Sequence, residues 1–367
     1  MRRAAGLCVV VGVALLFTGC GGSSPARTGG GVPAVNTTVG AKTASWVDEP
    51  VSFPAGGLTV YATFRHLVGV AGDVPAAVLI AGSGPTDRNG NSRLESGPVN
   101  TLATLADWLS ADGVASLRYD KLGAGRTGLG AYAADVDSIG IAPYEQEALA
   151  ALRFVAAQAG INDQRLAVIG HSEGALFALL LANAQEKTAP KIHAVGLLEP
   201  LSLRYLDVIT RQVDASVAAQ LKAGQLTNPL AARVDQTLAD VVTQLRDTGS
   251  VPAKLPYGLA NVLNPSTARF LYQADQHDPA ALAATLPTHI PVLVTCSNAD
   301  VQVSCAEVEH LVAGLTKAHA DTDFVTLTGV DHVLKVDPTG SAANYTAAFP
   351  FSPQLRAALR LFVDQNL

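Results

Sequence analysis

The stretch LAVIGHSEGALFALLL at residues 166–181 decides the fold that is expected for this chain. Its opening residues, 166–169, are apolar and include β-branched side chains, which favours a buried strand. Its closing residues, 175–181, are apolar and good helix formers, which favours a buried helix. The residues between them begin and end with glycine, so the pattern predicts a strand, a sharp turn and a helix in direct succession.

The turn has the pattern G-x-S-x-G, which places Ser172 at its tip. Such a turn forces the serine into a strained backbone conformation and lifts its hydroxyl clear of the sheet. A Cβ at Gly170 or Gly174 is expected to collide with the neighbouring strand or helix. The backbone N–H of Glu173 lies at the helix N-terminus, where developing negative charge is stabilised. The pattern G-x-S-x-G alone also occurs by chance, so the prediction rests on the strand and the helix that are expected on either side of it.

Further strand-like runs lie on both sides of this unit and alternate with helical patterns. They are found at 74–81, 114–119, 195–198, 291–295 and 323–328. Residues 51–68 alternate loosely around a Gly-Gly turn and predict an antiparallel pair or one bent strand. Strands that alternate with helices predict an α/β fold, with a mostly parallel sheet covered by helices on both faces. In such sheets, active sites form at the carboxyl ends of the strands.

Residues 201–286 differ in character from the rest of the chain. They are rich in Ala, Gln, Asp and Leu, are interrupted by prolines and contain no strand-like run. This segment is predicted to be a helical lid inserted into the sheet domain. The core of that domain then comprises residues 46–200 and 287–367.

The N-terminal residues have the layout of a secretory signal. Arg2 and Arg3 give a positive start, and residues 7–17 form an apolar stretch too short to span a bilayer as a mature helix. The sequence LFTGC at 16–20 resembles a bacterial lipoprotein box, in which the cysteine carries a diacylglycerol and becomes the new N-terminus. The resemblance implies a signal peptide over residues 1–19.

The same resemblance implies that Cys20 is lipidated and that the protein is exported and held at the outer face of the cell membrane. Residues 20–45 are rich in Gly, Ser, Thr, Pro and Ala, which is typical of a flexible tether. A plain signal peptide, with Cys20 incidental and the protein secreted, stays open as the alternative. The formal net charge of −6 and the lack of a Lys/Arg block indicate no nucleic-acid surface.

A serine hydroxyl is a weak nucleophile that needs a base, and the base needs an orienting carboxylate. Asp300 lies in the sequence SNADVQV after the strand-like run 291–295. His332 lies in the sequence GVDHV after the run 323–328. Both residues therefore follow strands, and the carboxyl ends of parallel strands meet at the edge of the sheet where Ser172 is also expected.

The order Ser, Asp, His along the chain is that of the α/β-hydrolases, which this chain resembles over about residues 50–365 without the lid. The acid loop of that family often reads G-x-x-D-x-x-V. Asp300 and Val303 fit this pattern, whereas Ser297 replaces the glycine. The histidine loop often reads G-x-x-H, which residues 329–332 match.

The resemblance implies a serine hydrolase whose catalytic residues are Ser172, Asp300 and His332. Some relatives place the acid after the preceding strand, where this chain has Glu199, so Glu199 is the alternative acid. His171 lies inside the turn and is expected to pack beside the serine rather than act as the base.

Acyl transfer also needs two backbone N–H donors that bind the oxyanion. The turn supplies the N–H of Glu173, and the resemblance places the second donor at Ser83. The run GSGPTDR at 82–88 resembles that of one branch of bacterial esterases and serine aminopeptidase-like hydrolases. Asp87 and Arg88 within it are expected to form an ion pair that holds the loop.

Cysteine usage predicts one disulfide. Cys8 leaves with the signal and Cys20 is lipidated, so Cys296 and Cys305 remain as an even pair in an exported protein. A disulfide there would hold the loop around Asp300 in register. Two free buried thiols are the alternative. No histidine or second cysteine pair accompanies them, so neither they nor other residues are taken as metal ligands.

These features predict a carboxylesterase that cleaves small-molecule esters through an acyl-enzyme on Ser172 and uses no cofactor. Two alternatives stay open. One is an aminopeptidase-like or thioesterase activity on the same residues, and a peptidase would need a carboxylate to hold a free amine, with candidates Glu173, Glu199, Asp207 and Asp214. The other is a catalytically silent envelope binding protein of the same fold.

Overall fold

The structure is a computed structural model that describes residues 44–69, 72–184 and 189–367. The predicted signal peptide at 1–19, the lipidation of Cys20 and nearly all of the tether lie outside the described residues. Within these described ranges, no helix is long and apolar enough to cross a membrane.

One mixed sheet organises the described residues. It contains eight strands in the order β1-β2-β4-β3-β5-β6-β7-β8. Their bounds are β1 Ser45–Ala55, β2 Leu58–Val68, β3 Val74–Ile80, β4 Ala115–Tyr119, β5 Ile161–His171, β6 Ala194–Leu198, β7 Pro291–Ser297 and β8 Asp321–Leu327. The pairs β1/β2 and β2/β4 are antiparallel, and every other neighbouring pair is parallel. The predicted mostly parallel sheet is confirmed, and its opening segment is the antiparallel pair rather than one bent strand.

Helices cover both faces of the sheet, as predicted. Their bounds are α1 Thr101–Ala111, α2 Ala142–Ala156, α3 Glu173–Asn183, α4 Tyr205–Lys222, α5 Asn228–Thr248, α6 Pro265–Ala274, α7 Pro279–Ala283, α8 Cys305–Ala318 and α9 Pro353–Asn366. Short 3₁₀ helices lie at Gly130–Ala134, Val136–Ser138, Leu259–Asn261 and Ala342–Asn344. Helices α1 and α9 pack on one face of the sheet, and α2, α3 and α8 pack on the other.

The central strands are buried on both faces because helices cover each side. In β3, Val78 and Leu79 point to opposite faces and both are fully buried. Burial of each such side chain stabilises the fold by about 1.5–3 kcal/mol. The β-branched and apolar runs of the sequence therefore become the centre of the sheet, and the residues that follow these strands are held on a rigid edge.

Helices α4 to α7 lie between β6 and β7, and this stretch, called the helical insertion below, falls within the residues 201–286 for which the sequence predicts a lid. The carboxylate of Asp275 is fully buried and ties this segment together. It accepts hydrogen bonds from Arg204 Nη2 at 2.6 Å, Arg246 Nε at 2.9 Å and the backbone N–H of Leu206 at 2.8 Å. Because both arginines satisfy it, this buried charge joins α4, α5 and α6 instead of destabilising them.

The expected ion pair between Asp87 and Arg88 is wrong. Arg88 reaches instead to Asp120 at the end of β4, with Nη2 2.6 Å from Oδ2 and Nε 3.0 Å from Oδ1. Asp87 uses Oδ1 to accept the backbone N–H groups of Asn89 at 2.8 Å and Asn91 at 3.0 Å. A short carboxylate side chain closes its own turn more readily than it pairs with the adjacent residue.

Candidate active site

Ser172 lies between the end of β5 and the start of α3, with φ of 55° and ψ of −122°. A non-glycine residue in this region costs about 1–3 kcal/mol and persists only where its surroundings hold it. Here the N–H of Ser172 donates to the carbonyl of Leu198 at 3.0 Å, and its carbonyl accepts from the N–H groups of Ala175 and Leu201. The neighbouring strand and helix therefore hold the turn that the sequence predicts.

Both glycines of the turn lie where a side chain has no room. A Cβ on Gly170 would lie 2.2 Å from the carbonyl oxygen of Gly174. A Cβ on Gly174 would lie 2.2 Å from the carbonyl oxygen of Ile80 in β3. The contacts are with backbone atoms, which cannot rotate away as a side chain can. The close packing of α3 against β5 and β3 thus requires glycine at both positions.

Replacement of Gly170 with alanine is expected to lower the free energy of unfolding by about 3 kcal/mol, because the new methyl group must displace backbone. Chemical denaturation followed by circular dichroism measures this change. Gly97→Ala is the matched control, since a Cβ there lies 3.6 Å from its nearest neighbour, Thr346 Cβ. Equal stability losses in the two variants would contradict the tight packing of the turn.

His332 and Asp300 are brought together at the carboxyl edge of the sheet. Nδ1 of His332 lies 2.7 Å from Oδ2 of Asp300. The other oxygen, Oδ1, accepts the N–H groups of Gln302 at 2.6 Å and Val303 at 3.1 Å. Burial acts to raise the pKa of Asp300, but the charge and hydrogen bond of His332, together with these two backbone N–H groups, lower that pKa below its ordinary value. An ionised Asp300 thus orients the imidazole and leaves Nε2 available as a base.

The loop that carries Asp300 is closed by a disulfide between Cys296 and Cys305, as predicted. The two Cα atoms are 5.1 Å apart and the sequence separation is 9. Closing a loop of this length stabilises the folded state by about 2–3 kcal/mol in the chain-entropy model. Ser297 adds a second link, because its Oγ accepts the N–H of Ala299 and of Val330, each at 3.2 Å. This serine, at the position where the family pattern has glycine, thus joins the acid loop to the histidine loop.

Glu199, the alternative acid, lies behind Asp300. It is fully buried, has a φ of 43°, and accepts a hydrogen bond from Thr295 Oγ1 at 3.4 Å. Burial and then the negative charge of Asp300 raise its pKa well above the ordinary value. No N–H or O–H donor reaches its Oε2 in the described part of the chain. Burial beside Asp300 thus favours the uncharged form of Glu199, which is the opposite of the effect that His332 has on Asp300.

His171 contacts the histidine loop rather than only the serine. Its Nε2 lies 2.7 Å from the backbone carbonyl oxygen of His332. Burial first, and then the neighbouring His332 charge, lower the pKa of His171 to about 4. The ring is therefore neutral at physiological pH and donates Nε2–H to that carbonyl. His171 thus helps to hold the residue that carries the candidate base.

Lys121 links the two segments that carry the predicted oxyanion donors. Its Nζ donates to the carbonyl of Gly82 and, at 2.9 Å, to Oε1 of Glu173. The Gly82 carbonyl and the Ser83 N–H belong to one peptide plane, so this contact sets the direction of that N–H. Tyr205 of α4 donates to Oε2 of Glu173 at 2.6 Å, which ties the helical insertion to the turn. Across the described ranges, neither the Ser83 nor the Glu173 N–H has a hydrogen-bond partner.

Sequence reasoning did not single out Lys121 or Tyr205. Lys121 lies two residues beyond the end of β4, so its place at the carboxyl edge of the sheet was a usable signal. Tyr205 lies in the helical insertion, where the sequence pattern predicts helices but not the residues that they contact. Its contact with the turn arises only because α4 folds back over the sheet edge.

A cavity of about 110 Å³ lies at this edge and contains both Ser172 and His332 in its wall. Much of its remaining lining comes from the loops after β3, β7 and β8 and from α4, and it includes Ser83, Glu95, Val99, Tyr205, Gln302 and Tyr345. Among the residues that the structure describes, no cluster of His, Cys, Asp and Glu could hold a metal ion. The cavity is smaller than the 300–1,000 Å³ typical of sites for drug-sized ligands, which favours a small group beside Ser172.

Comparison with family models finds no match, and no curated protein matches the chain. Solved structures do match. Est1E from Butyrivibrio proteoclasticus with bound ferulic acid has a TM-score of 0.52 and 16% identity, over 86% of this chain and 98% of that one. The Pyrococcus furiosus esterase Pf2001 has a TM-score of 0.52 and 13% identity, over 88% and 91%.

A third structure is the α/β hydrolase GrgF from Penicillium sp. sh18. Its TM-score is 0.51 and its identity 15%, over 87% of this chain and 99% of that one. At these identities the likeness concerns the fold. Together with the strand order and the helices on both faces, it shows that the chain has the α/β-hydrolase fold.

Proposed function

We propose that this protein is a serine hydrolase that cleaves carboxylic esters. One observation carries the proposal: Ser172, held at a strained strand-to-helix turn, shares a cavity wall with His332, whose Nδ1 is bonded to the Asp300 carboxylate. A nucleophile, a base and an orienting acid in this arrangement are the parts that acyl transfer requires. The α/β-hydrolase fold and the esterases among its structural neighbours support the same assignment.

In the proposed reaction, Ser172 Oγ attacks the ester carbonyl while Nε2 of His332 takes the hydroxyl proton. The backbone N–H groups of Ser83 and Glu173 stabilise the negative charge that develops on the carbonyl oxygen. His332 then gives the proton to the leaving alcohol as the carbon–oxygen bond breaks, and an acyl-enzyme remains. Water, activated by His332, releases the acid and restores the serine. Asp300 stabilises the imidazolium in both steps, and no cofactor takes part.

We also propose that the protein works outside the cytoplasm, held at the membrane by a lipid on Cys20. This rests on the N-terminal sequence pattern at 1–20. The disulfide between Cys296 and Cys305 supports it, because such bonds persist in oxidising compartments. The size of the cavity favours esters with small acyl groups.

Treatment with a fluorophosphonate probe tests the proposed nucleophile. Peptide mass spectrometry is expected to find one adduct, on Ser172, because the strained turn holds this residue in one cavity wall with the proposed base and oxyanion donors. The denatured protein is the control and should carry no adduct, because unfolding separates Ser172 from the base and the oxyanion donors and leaves it as unreactive as any other serine. No adduct on the folded protein would contradict a hydrolase and favour a silent binding protein of the same fold.

A further inference from the structure

The carboxylates in the wall of the cavity beside Ser172 are not balanced by lysine or arginine side chains in that wall. Two carboxylates, those of Glu95 and Glu173, belong to its lining, and no lysine or arginine does. The carboxylate of Glu173 is already satisfied by Lys121 at 2.9 Å and by Tyr205 at 2.6 Å. Glu95 is therefore the carboxylate of the cavity wall whose charge is left without compensation.

The side chain of Glu95 is half-buried and has no partner. Within the described residues, its carboxylate makes no ion pair and accepts no hydrogen bond from another group. Burial raises the pKa of Glu95, and no neighbouring cation acts in the other direction. A partly desolvated carboxylate of this kind is stabilised by a positive charge brought by a ligand.

The backbone of Glu95 is held in place by contacts of the loop between β3 and α1, and the Glu95 side chain takes no part in them. Its N–H donates to the carbonyl of Ser92 at 3.2 Å. On one side, Asn91 Oδ1 accepts the N–H of Val99 at 2.7 Å. On the other, Ser96 Oγ lies 2.9 Å from Thr346 Oγ1 in the loop after β8. These contacts fix the backbone at Glu95, so its carboxylate stays at the cavity wall and its oxygens remain open to a ligand.

We infer that the site takes esters that carry a cationic amine and that Glu95 binds this cation. The inference rests on the proposed function, because it assigns the charge of the substrate that Ser172 attacks. Glu173 is unsuited to the role, since a ligand would have to compete with Lys121 and Tyr205 for its oxygens. The apolar part of the lining, which includes Val99, Leu201 and Val303, can accept the uncharged remainder of the substrate.

Two pairs of isosteric esters test this assignment with the full protein. Acetylcholine and 3,3-dimethylbutyl acetate differ by a charge in the alcohol. Methyl 4-(trimethylammonio)butyrate and methyl 5,5-dimethylhexanoate differ by a charge in the acyl group. In a pH-stat assay, kcat/KM is expected to be at least about ten-fold higher for the cationic member of one pair, as a partly desolvated charge contact implies. In Glu95→Gln, the ratio of kcat/KM within that pair should fall to near one.

Glu309→Gln is the matched control, because it removes the same charge from an exposed position on α8 that does not line the cavity. It should leave the ratio of the wild-type protein unchanged. Equal or higher kcat/KM for the neutral member of both pairs would overturn the inference, as would a ratio that Glu95→Gln does not alter. Hydrolysis of none of the four esters by protein that still labels on Ser172 would also overturn it. Absence of both labelling and hydrolysis would overturn the proposed function itself.

Discussion

Replacement of Ser172 with alanine is expected to reduce kcat for ester hydrolysis by about 10⁶-fold, because the bond-forming atom is removed. The residual rate should still exceed that of water by about 10³–10⁴-fold, since the oxyanion donors and the cavity remain. The fold should persist, because the bonds that hold the turn come from the backbone of Ser172 and not from its hydroxyl. Steady-state kinetics with p-nitrophenyl acetate and circular dichroism measure the two quantities.

Ser83→Ala is the control for this experiment. Ser83 lines the same cavity, but its proposed role uses the backbone N–H, which alanine retains. A loss of less than about ten-fold is therefore expected, since only the hydroxyl is lost. If Ser83→Ala and Ser172→Ala lost activity equally, Ser172 would not be the unique nucleophile and the proposed mechanism would be wrong.

Replacement of Asp300 with asparagine is expected to lower kcat by about 10⁴-fold with little change in KM. The amide keeps the shape of the side chain, but it can no longer stabilise the imidazolium and favours the wrong tautomer of His332. The loss follows from the 2.7 Å contact between Asp300 Oδ2 and His332 Nδ1. It is measured as the ratio of kcat values for variant and wild-type protein under saturating ester.

Glu199→Gln distinguishes the two candidate acids. Glutamine keeps the size of the side chain and is uncharged, which is the form that burial favours for Glu199, so a loss of ten-fold or less is expected. The reverse order, with Glu199→Gln as the more damaging change, would show that Glu199 and not Asp300 orients the base. Similar losses in both variants would instead indicate that the two carboxyl groups act as one unit.

Helix α4 does more than cover the cavity. Tyr205 at its start bonds to Glu173, and Glu173 carries one of the proposed oxyanion donors. A displacement of α4 would therefore also disturb the turn that holds Ser172. This coupling makes the insertion part of the site, whether or not it opens as the predicted lid.

The sheet and the turn at 170–174 could be predicted from the sequence because local patterns determine them. A β-branched run, two glycines and an apolar helical run leave few conformations open to the chain around Ser172. The parallel arrangement then follows from the alternation of strands and helices. The same topology brings residues after β5, β7 and β8 to one edge, which is why Asp300 and His332 could be proposed beside Ser172.

The partners of charged side chains were decided only by the tertiary structure. Arg88 pairs with Asp120 and not with Asp87, because the direction in which each side chain leaves the loop depends on how that loop lies on the sheet. Asp300 and Glu199 follow neighbouring strands, so the sequence favours Asp300 as the acid but leaves Glu199 open as the alternative. The hydrogen bond to His332 distinguishes them in space.

The local sequence pattern, by itself, thus determined the fold class and the position of Ser172, since backbone sterics and hydrophobic periodicity act within a few residues. Tertiary packing decided which charges are compensated. Glu173 is paired with Lys121 from the loop after β4 and with Tyr205 from α4, whereas Glu95 in the same cavity is left unpaired. Electrostatic energies depend on distances between residues far apart in the chain and on how much water reaches them, and a linear sequence contains neither quantity.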